Sequence, residues 1–320
     1  MHLRPELHAL RSDDTPQRVA QTEVFRARNA WQARPEVVDL VAELAAFSGS
    51  HAMAECPALA ALFDEESPAA QQLVDSFVFA TCEALARQPL GQVALRHFTD
   101  GVVSTLRIAD AGRASLLLVA LDGEALGPVP EPVSISFSAI ESWERVMAGS
   151  AEAELIEARP AGENRVRFNR RRVDLSPGRI VAREGNRQTL ALRRIEGRLV
   201  SLKLQRRQLN PAPTREYDFA TGTLIHQAAS DLRESRQELM VALLGRMERR
   251  DAAPLLGALS REAKSPSLRW EALRECLGLD ALTGMTALKA IAAAPDDPLA
   301  APAAAMRAQL ITAHPQLAGI

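Results

Sequence analysis

Residues 133–158 read VSISFSAIESWERVMAGSAEAELIEA, and residues 173–197 read VDLSPGRIVAREGNRQTLALRRIEG. Inside them, residues 153–157, 179–183 and 189–194 form short runs bounded by Gly, Pro, Asn or Asp, which is how strands are punctuated. The sequence on either side continues the pattern. Residues 93–99 and 102–108 flank Asp100-Gly101, a short hairpin signal. Residues 114–121, 165–174, 199–205 and 222–228 supply further strands. Many short strands separated by turn residues predict an all-β sandwich or barrel over residues 91–229.

Both flanks of this zone change period. Residues 35–47 place Val37, Val38, Val41, Leu44 and Ala45 at helical spacing behind Pro35, which suits a first turn. Ser67-Pro68 opens a second helix with Leu73, Phe77, Ala80, Ala84 and Leu85 on one stripe, and residues 16–31 suggest another. Beyond residue 230, residues 238–249 read as a helix. Asp251 and Ser267 are expected to cap the next two, and residues 283–293 and 299–314 make a further pair. The expected fold class is α+β: a helical region over 1–90, a central antiparallel β-barrel or jelly roll over 91–229, and a helical domain over 230–320.

The middle zone resembles the cupin jelly roll across residues 133–207. At this point cupins carry two His in alternation, then a Glu, then a strand ending at a Gly turn. Here Ser134 and Ser136 stand near the His positions, Glu141 or Glu144 near the Glu, and Gly149 at the turn. In the second motif Ser176-Pro177-Gly178 matches the corner, and Asn186-Arg187 stands where the last His is expected. The resemblance implies a barrel whose inward residues would ordinarily hold a metal. Serine hydroxyls are poor neutral ligands and Arg cannot be one. The chain is therefore expected to lack metal and cofactor, to keep a pocket in the barrel mouth, and to pair as a homodimer. The stretch SPSLRWEALRECLGLD at 265–280 similarly resembles the second helix of a HEAT-type repeat, with Arg269, Ala272 and Leu273 at the matching places. A generic helical cap is the alternative.

Outside the resemblance, His97 and His226 are the two histidines of the β zone, and no carboxylate stands at a short fixed offset from either. Tyr217, the only tyrosine, lies in a Pro-rich linker over 210–222 and either reaches a pocket or anchors a loop. The ligand-pocket candidates are His97, Ser134, Ser136, Glu141, Arg187, Tyr217 and His226. No phosphate loop, nucleophile elbow or dinucleotide fingerprint is present, so no catalytic residue is assigned.

Charge is uneven along the 320 residues. Residues 159–215 hold sixteen basic and four acidic side chains, a net +12, so the remainder carries −14 of the total −2. A basic strand face can bind phosphates, nucleic acid or an acidic partner. Only three of the 38 basic residues are Lys, which fits a bacterial-type, Arg-biased composition, and Phe168 is the sole aromatic between Arg159 and Arg215. Stacking on single strands needs more aromatics than that, which argues against nucleic acid. Cys56, Cys82 and Cys276 are scattered, as in a reduced compartment. No apolar run approaches the ~20 residues of a membrane helix. The expectation is a cytoplasmic, non-enzymatic protein that binds a small molecule or a protein partner. The alternatives are an enzyme with a remodelled site that includes His97 and His226, and a nucleic-acid regulator using the Arg-rich segment.

Overall fold

The computed structural model describes residues 13–162, 164–209, 211–229, 232–263 and 265–319. Residues 1–12, His2 and His8 among them, lie outside the described residues. Four helices come first: α1 (Thr15–Gln32), α2 (Pro35–Gly49), α3 (Pro57–Leu62) and α4 (Ala69–Arg87). Ten strands follow: β1 (His97–Thr99), β2 (Val103–Ala111), β3 (Ala114–Asp122), β4 (Ser134–Phe137), β5 (Ile140–Gly162), β6 (Arg165–Leu175), β7 (Ile180–Arg183), β8 (Gln188–Arg207), β9 (Thr214–Asp218) and β10 (Leu224–Ala228), with a single turn α5 (Gly123–Leu126) after β3. The chain ends on α6 (Leu232–Arg246), α7 (Ala253–Glu262), α8 (Pro266–Leu279), α9 (Ala281–Ala292) and α10 (Ala300–Ala313). The architecture is mixed α+β, with helices before and after a β region.

The pairings within the larger sheet and that of β4 with β9 are antiparallel. One sheet runs β1-β2-β3-β8-β5-β6, with β7 also on β5, and a second runs β10-β9-β4. An isolated bridge between Arg165 and Thr223 links the two. Two strands are far longer than the sequence reading allowed. Gly149 lies inside β5 and Glu196-Gly197 inside β8, where turns were expected. Both are bulges: the register jumps from Ala148 opposite Val200 to Ser150 opposite Glu196. Gly149 and Gly197 have φ of 81° and 65°, and a Cβ at Gly149 would sit 1.9 Å from the Arg198 carbonyl oxygen. Glycine at these points lets the β5–β8 ribbon bend without ending.

The bend gives the ribbon two environments. Its first half packs on the N-terminal helices, where Phe47, Leu44 and Leu59 meet Leu116, Leu202 and Leu204 in one buried cluster. Trp143 stands edge-on to Phe47, with centroids 5.5 Å apart. Each such side chain stabilises by roughly 1.5–3 kcal/mol on burial. Past the bend, Ile156, Ala158 and Val166 face Ile135, Phe137 and Tyr217 of the smaller sheet. Tyr217 therefore lies in a strand, opposite Ile135, and not in a linker. Between the two lies a third cluster of Val146, Ala153, Val173, Val181 and Leu199.

The helices α6–α10 belong to a second compact unit. Two caps differ from expectation. Ser265, not Ser267, accepts from the Leu268 N–H at the start of α8, while the Ser267 hydroxyl donates to Glu238. Asp251 pairs with Arg249 and makes no cap to α7. Arg269, Ala272 and Leu273 are all buried. The Arg269 Nε donates to the Ser260 carbonyl at 2.8 Å and its guanidinium grips Asp297, which ties α8 to the turn before α10.

Candidate functional site: a polar inner face

Strand alternation gives β5 two faces over Ile140–Val146, and both can be followed across the sheet by register. On the helix-facing side stand Glu141, Trp143 and Arg145. Glu141 lies opposite Arg206 and accepts from its Nε at 3.0 Å and Nη2 at 2.7 Å. Arg206 also donates to the carbonyls of Phe47 and His51, and its guanidinium carbon lies 4.0 Å from the Phe47 ring centre. Arg145 is 8% exposed and donates to the carbonyls of Leu62, Asp64, Glu65 and Ser67, closing the C-terminal end of α3. Every polar group on this side serves to fasten the helices to the sheet.

The opposite side is polar in a different way. One row crosses four strands as Ser115, Gln205, Ser142 and Arg183, and the next as Leu117, Lys203, Glu144 and Val181. Ser201 stands in the row beyond. Glu144 accepts from the Ser201 hydroxyl at 2.8 Å and from Arg183 Nη2 at 2.8 Å, and Gln205 donates to the Ser115 hydroxyl at 3.1 Å. Two groups are left over. The buried Nε of Arg183 has no hydrogen-bond partner. The ammonium of Lys203 makes neither a hydrogen bond nor an ion pair among the described residues, although Glu144 is its cross-strand neighbour. Burial holds the Lys203 amine below the ordinary lysine range, Glu144 opposes that and the Arg183 charge adds to it.

A cleft of about 120 Å³ opens onto this side, lined by Ser142, Arg183, Gln188, Lys203 and Gln205, with Ser136 of β4 and Ser138 of the link from β4 to β5. The lining holds two cations, Arg183 and Lys203, and no carboxylate; Glu144, on the same face of the sheet, pairs with Arg183, so the cleft carries a surplus positive charge. It offers hydroxyl and amide groups besides, but it has no histidine or cysteine. Among the described residues, no three His, Cys, Asp or Glu side chains gather closely enough to hold a metal ion.

The sequence candidates fall in several places. Ser136 lines the cleft. Ser134, one pleat away, donates to Glu216 of β9. Glu141 is on the helix side, and Arg187 is exposed 3.9 Å from Glu157; both border a broader surface depression beside Trp143. Tyr217 is 7% exposed, in the small sheet's core. His97 and His226 are exposed on the edge strands β1 and β10 of different sheets, and neither lines the cleft. Residues missed from sequence are Lys203, Arg183, Ser142 and Gln205, with Glu144 passed over in favour of Glu141. One visible signal points to them: Lys203 is the first of only three lysines, set between Leu202 and Leu204 in an Arg-dominated strand.

The Arg-rich segment is extensively ion-paired. Glu154 receives both Arg170 at 2.8 Å and Arg193 at 2.6 Å. Burial opposes ionisation of Glu154, yet the hydrogen bonds from Arg193 and Arg170 outweigh it and hold the carboxyl below its usual range. Arg159 meets Glu157, and Arg198 meets Asp122. No helix among the described residues is long and apolar enough to cross a membrane.

No family model matches the chain, and no curated protein matches it. Distant, partial likenesses occur among solved structures. The 7S globulin of Momordica charantia overlaps with a TM-score of 0.27 at 13% identity, over 40% of this chain and 36% of that one. A cupin superfamily protein of Desulfitobacterium hafniense gives 0.24 at 12% identity, over 35% and 83%. Ectoine synthase from P. lautus gives 0.24 at 14% identity, over 35% and 70%. The chain thus spans little more than a third of the globulin's length.

Proposed function

We propose that this protein is a non-enzymatic binding protein built on a metal-free, cupin-like β domain, which holds a small polar molecule in the cleft on the inner face of β5 and β8. The observation that carries this reading is the buried, unsatisfied Arg183 Nε in the wall of a cleft that the Lys203 side chain also lines. An unpaired polar group taken out of water costs on the order of 1–3 kcal/mol, and a ligand that supplies acceptors removes that cost. The surplus positive charge favours a ligand with an anionic or strongly electronegative end. In the same proposal residues 1–90 brace the β domain, residues 91–229 bind the ligand, and the helices over 230–320, read as HEAT-like pairs, offer a surface to a protein partner. Homodimer formation belongs to the proposal too.

Native mass spectrometry with elemental analysis of the gently purified protein tests this. Expected is a dimer mass with a small organic molecule retained per chain, lost when the inner face is altered by Arg183→Met. Stoichiometric iron or manganese would overturn the metal-free reading.

A further inference from the structure

Lys203 is the single lysine before residue 264. It stands in a β-strand between two fully buried leucines, Leu202 and Leu204, where a charged amine has no structural task. Its natural counter-ion is already spent. Both Glu144 oxygens are engaged, one by Ser201 and one by Arg183, so the carboxylate opposite Lys203 forms no ion pair with it. The amine instead lines an open cleft whose other walls are hydroxyls, amides and the Arg183 guanidinium.

From this arrangement we infer that Lys203 captures a small carbonyl compound, an aldehyde or 2-oxo acid, as a reversible imine, with Arg183 receiving the ligand's anionic end. The inference rests on the cleft being the binding site and names the ligand class for it. Desolvation leaves more of the Lys203 amine uncharged than an exposed lysine would have, and the free amine is the nucleophile. The nitrogen lone pair forms the new C–N bond while the carbonyl π pair moves to oxygen, which takes up a proton as the carbinolamine forms. The C–O bond then breaks, the oxygen leaves as water, and the nitrogen–carbon double bond closes. The sum is amine plus carbonyl giving imine plus water, with no oxidant or reductant.

The cleft volume sets the size of the ligand. At about 120 Å³ it admits a compound of a few heavy atoms, so glyoxylate is a suitable probe. The full-length protein is treated with glyoxylate and cyanoborohydride at neutral pH, which reduces any imine to a stable carboxymethyl-lysine, and the product is mapped by mass spectrometry. The exposed Lys289 on α9 serves as the internal reference. Expected is modification of Lys203 several-fold faster than Lys289, since the lowered pKa leaves more of the Lys203 amine uncharged at neutral pH. Glycolate, which has the same anionic end but no aldehyde, should slow Lys203 alone. Lys203→Arg keeps the charge and should abolish the fast site while leaving the melting temperature close to wild type. Labelling of Lys203 no faster than Lys289 overturns the imine. If glycolate still raises the melting temperature of the wild type but not of Arg183→Met, the cleft remains a binding site and only the covalent step fails. If glycolate also has no effect, anion binding in the cleft fails with it.

Discussion

The two faces of β5 between Ile140 and Val146 hold comparable numbers of charged groups and put them to opposite uses. On the helix side Arg145 spends its guanidinium on four backbone carbonyls, and Glu141 and Arg206 close on each other and on α2. On the inner side the Glu144–Arg183 pair is formed, but Arg183 Nε and the Lys203 amine are left without partners. A saturated set of polar groups is a fastening. An unsaturated set next to a cleft is stability held back in favour of a ligand, because buried polar groups are otherwise nearly always paired.

Four substitutions sharpen that contrast. The largest effect is expected from Arg145→Ala, which orphans several carbonyls at once and loosens α3 and α4 from the sheet. Denaturant unfolding should show a loss of about 3 kcal/mol, and a loss under 1 kcal/mol would mean that water replaces the guanidinium easily. Glu144→Gln comes next, at about 2 kcal/mol, because it leaves two cations on the inner face without a counter-charge. Lys203→Met should go the other way, raising stability by up to about 1 kcal/mol, since it removes a half-buried amine with no partner. A marked loss there would show the lysine to be a fastening after all. Tyr217→Phe should change stability by less than about 0.5 kcal/mol, as the ring and not the hydroxyl fills the small sheet's core.

Acid acts on the ribbon beyond the bend. The Glu154 carboxyl titrates lower in the folded chain than its usual 4.5, so its pairing with Arg170 and Arg193 contributes fully above that value. The contribution is lost as pH falls through the lowered folded value. Glu154→Gln should flatten this acid limb in a pH series of melting temperatures; an unchanged limb would assign it to other carboxylates.

How much of this was open to a reader of the sequence follows from range. The helices α2, α4 and α8 are legible because their apolar spacing is local. The Pro177-Gly178 turn is legible for the same reason, and its Arg179 N–H indeed bonds back to the Ser176 carbonyl. Gly149 and Gly197 mislead, because a glycine that bends a continuing strand has the same local signature as one that ends it. The inner face is harder still. Its four key side chains come from β5, β7 and β8, and only register brings Arg183 opposite Ser142 and Lys203 opposite Glu144. Strand parity decides everything there: Glu141, at an odd position, points to the helices, and Glu144, at an even one, to the inner face. The rarity of lysine was the one local clue, and it marks a residue without naming its neighbours.

The most direct test of the inner face uses that rarity. A chain labelled only at lysine has three side-chain ε-methylene signals in a nuclear magnetic resonance spectrum. Expected is one signal, absent in Lys203→Met, that titrates at distinctly lower pH than the other two and shifts alone on addition of glycolate. Three signals that titrate together in the ordinary lysine range, with no response confined to Lys203, would show that the inner face holds a solvated lysine and no ligand site.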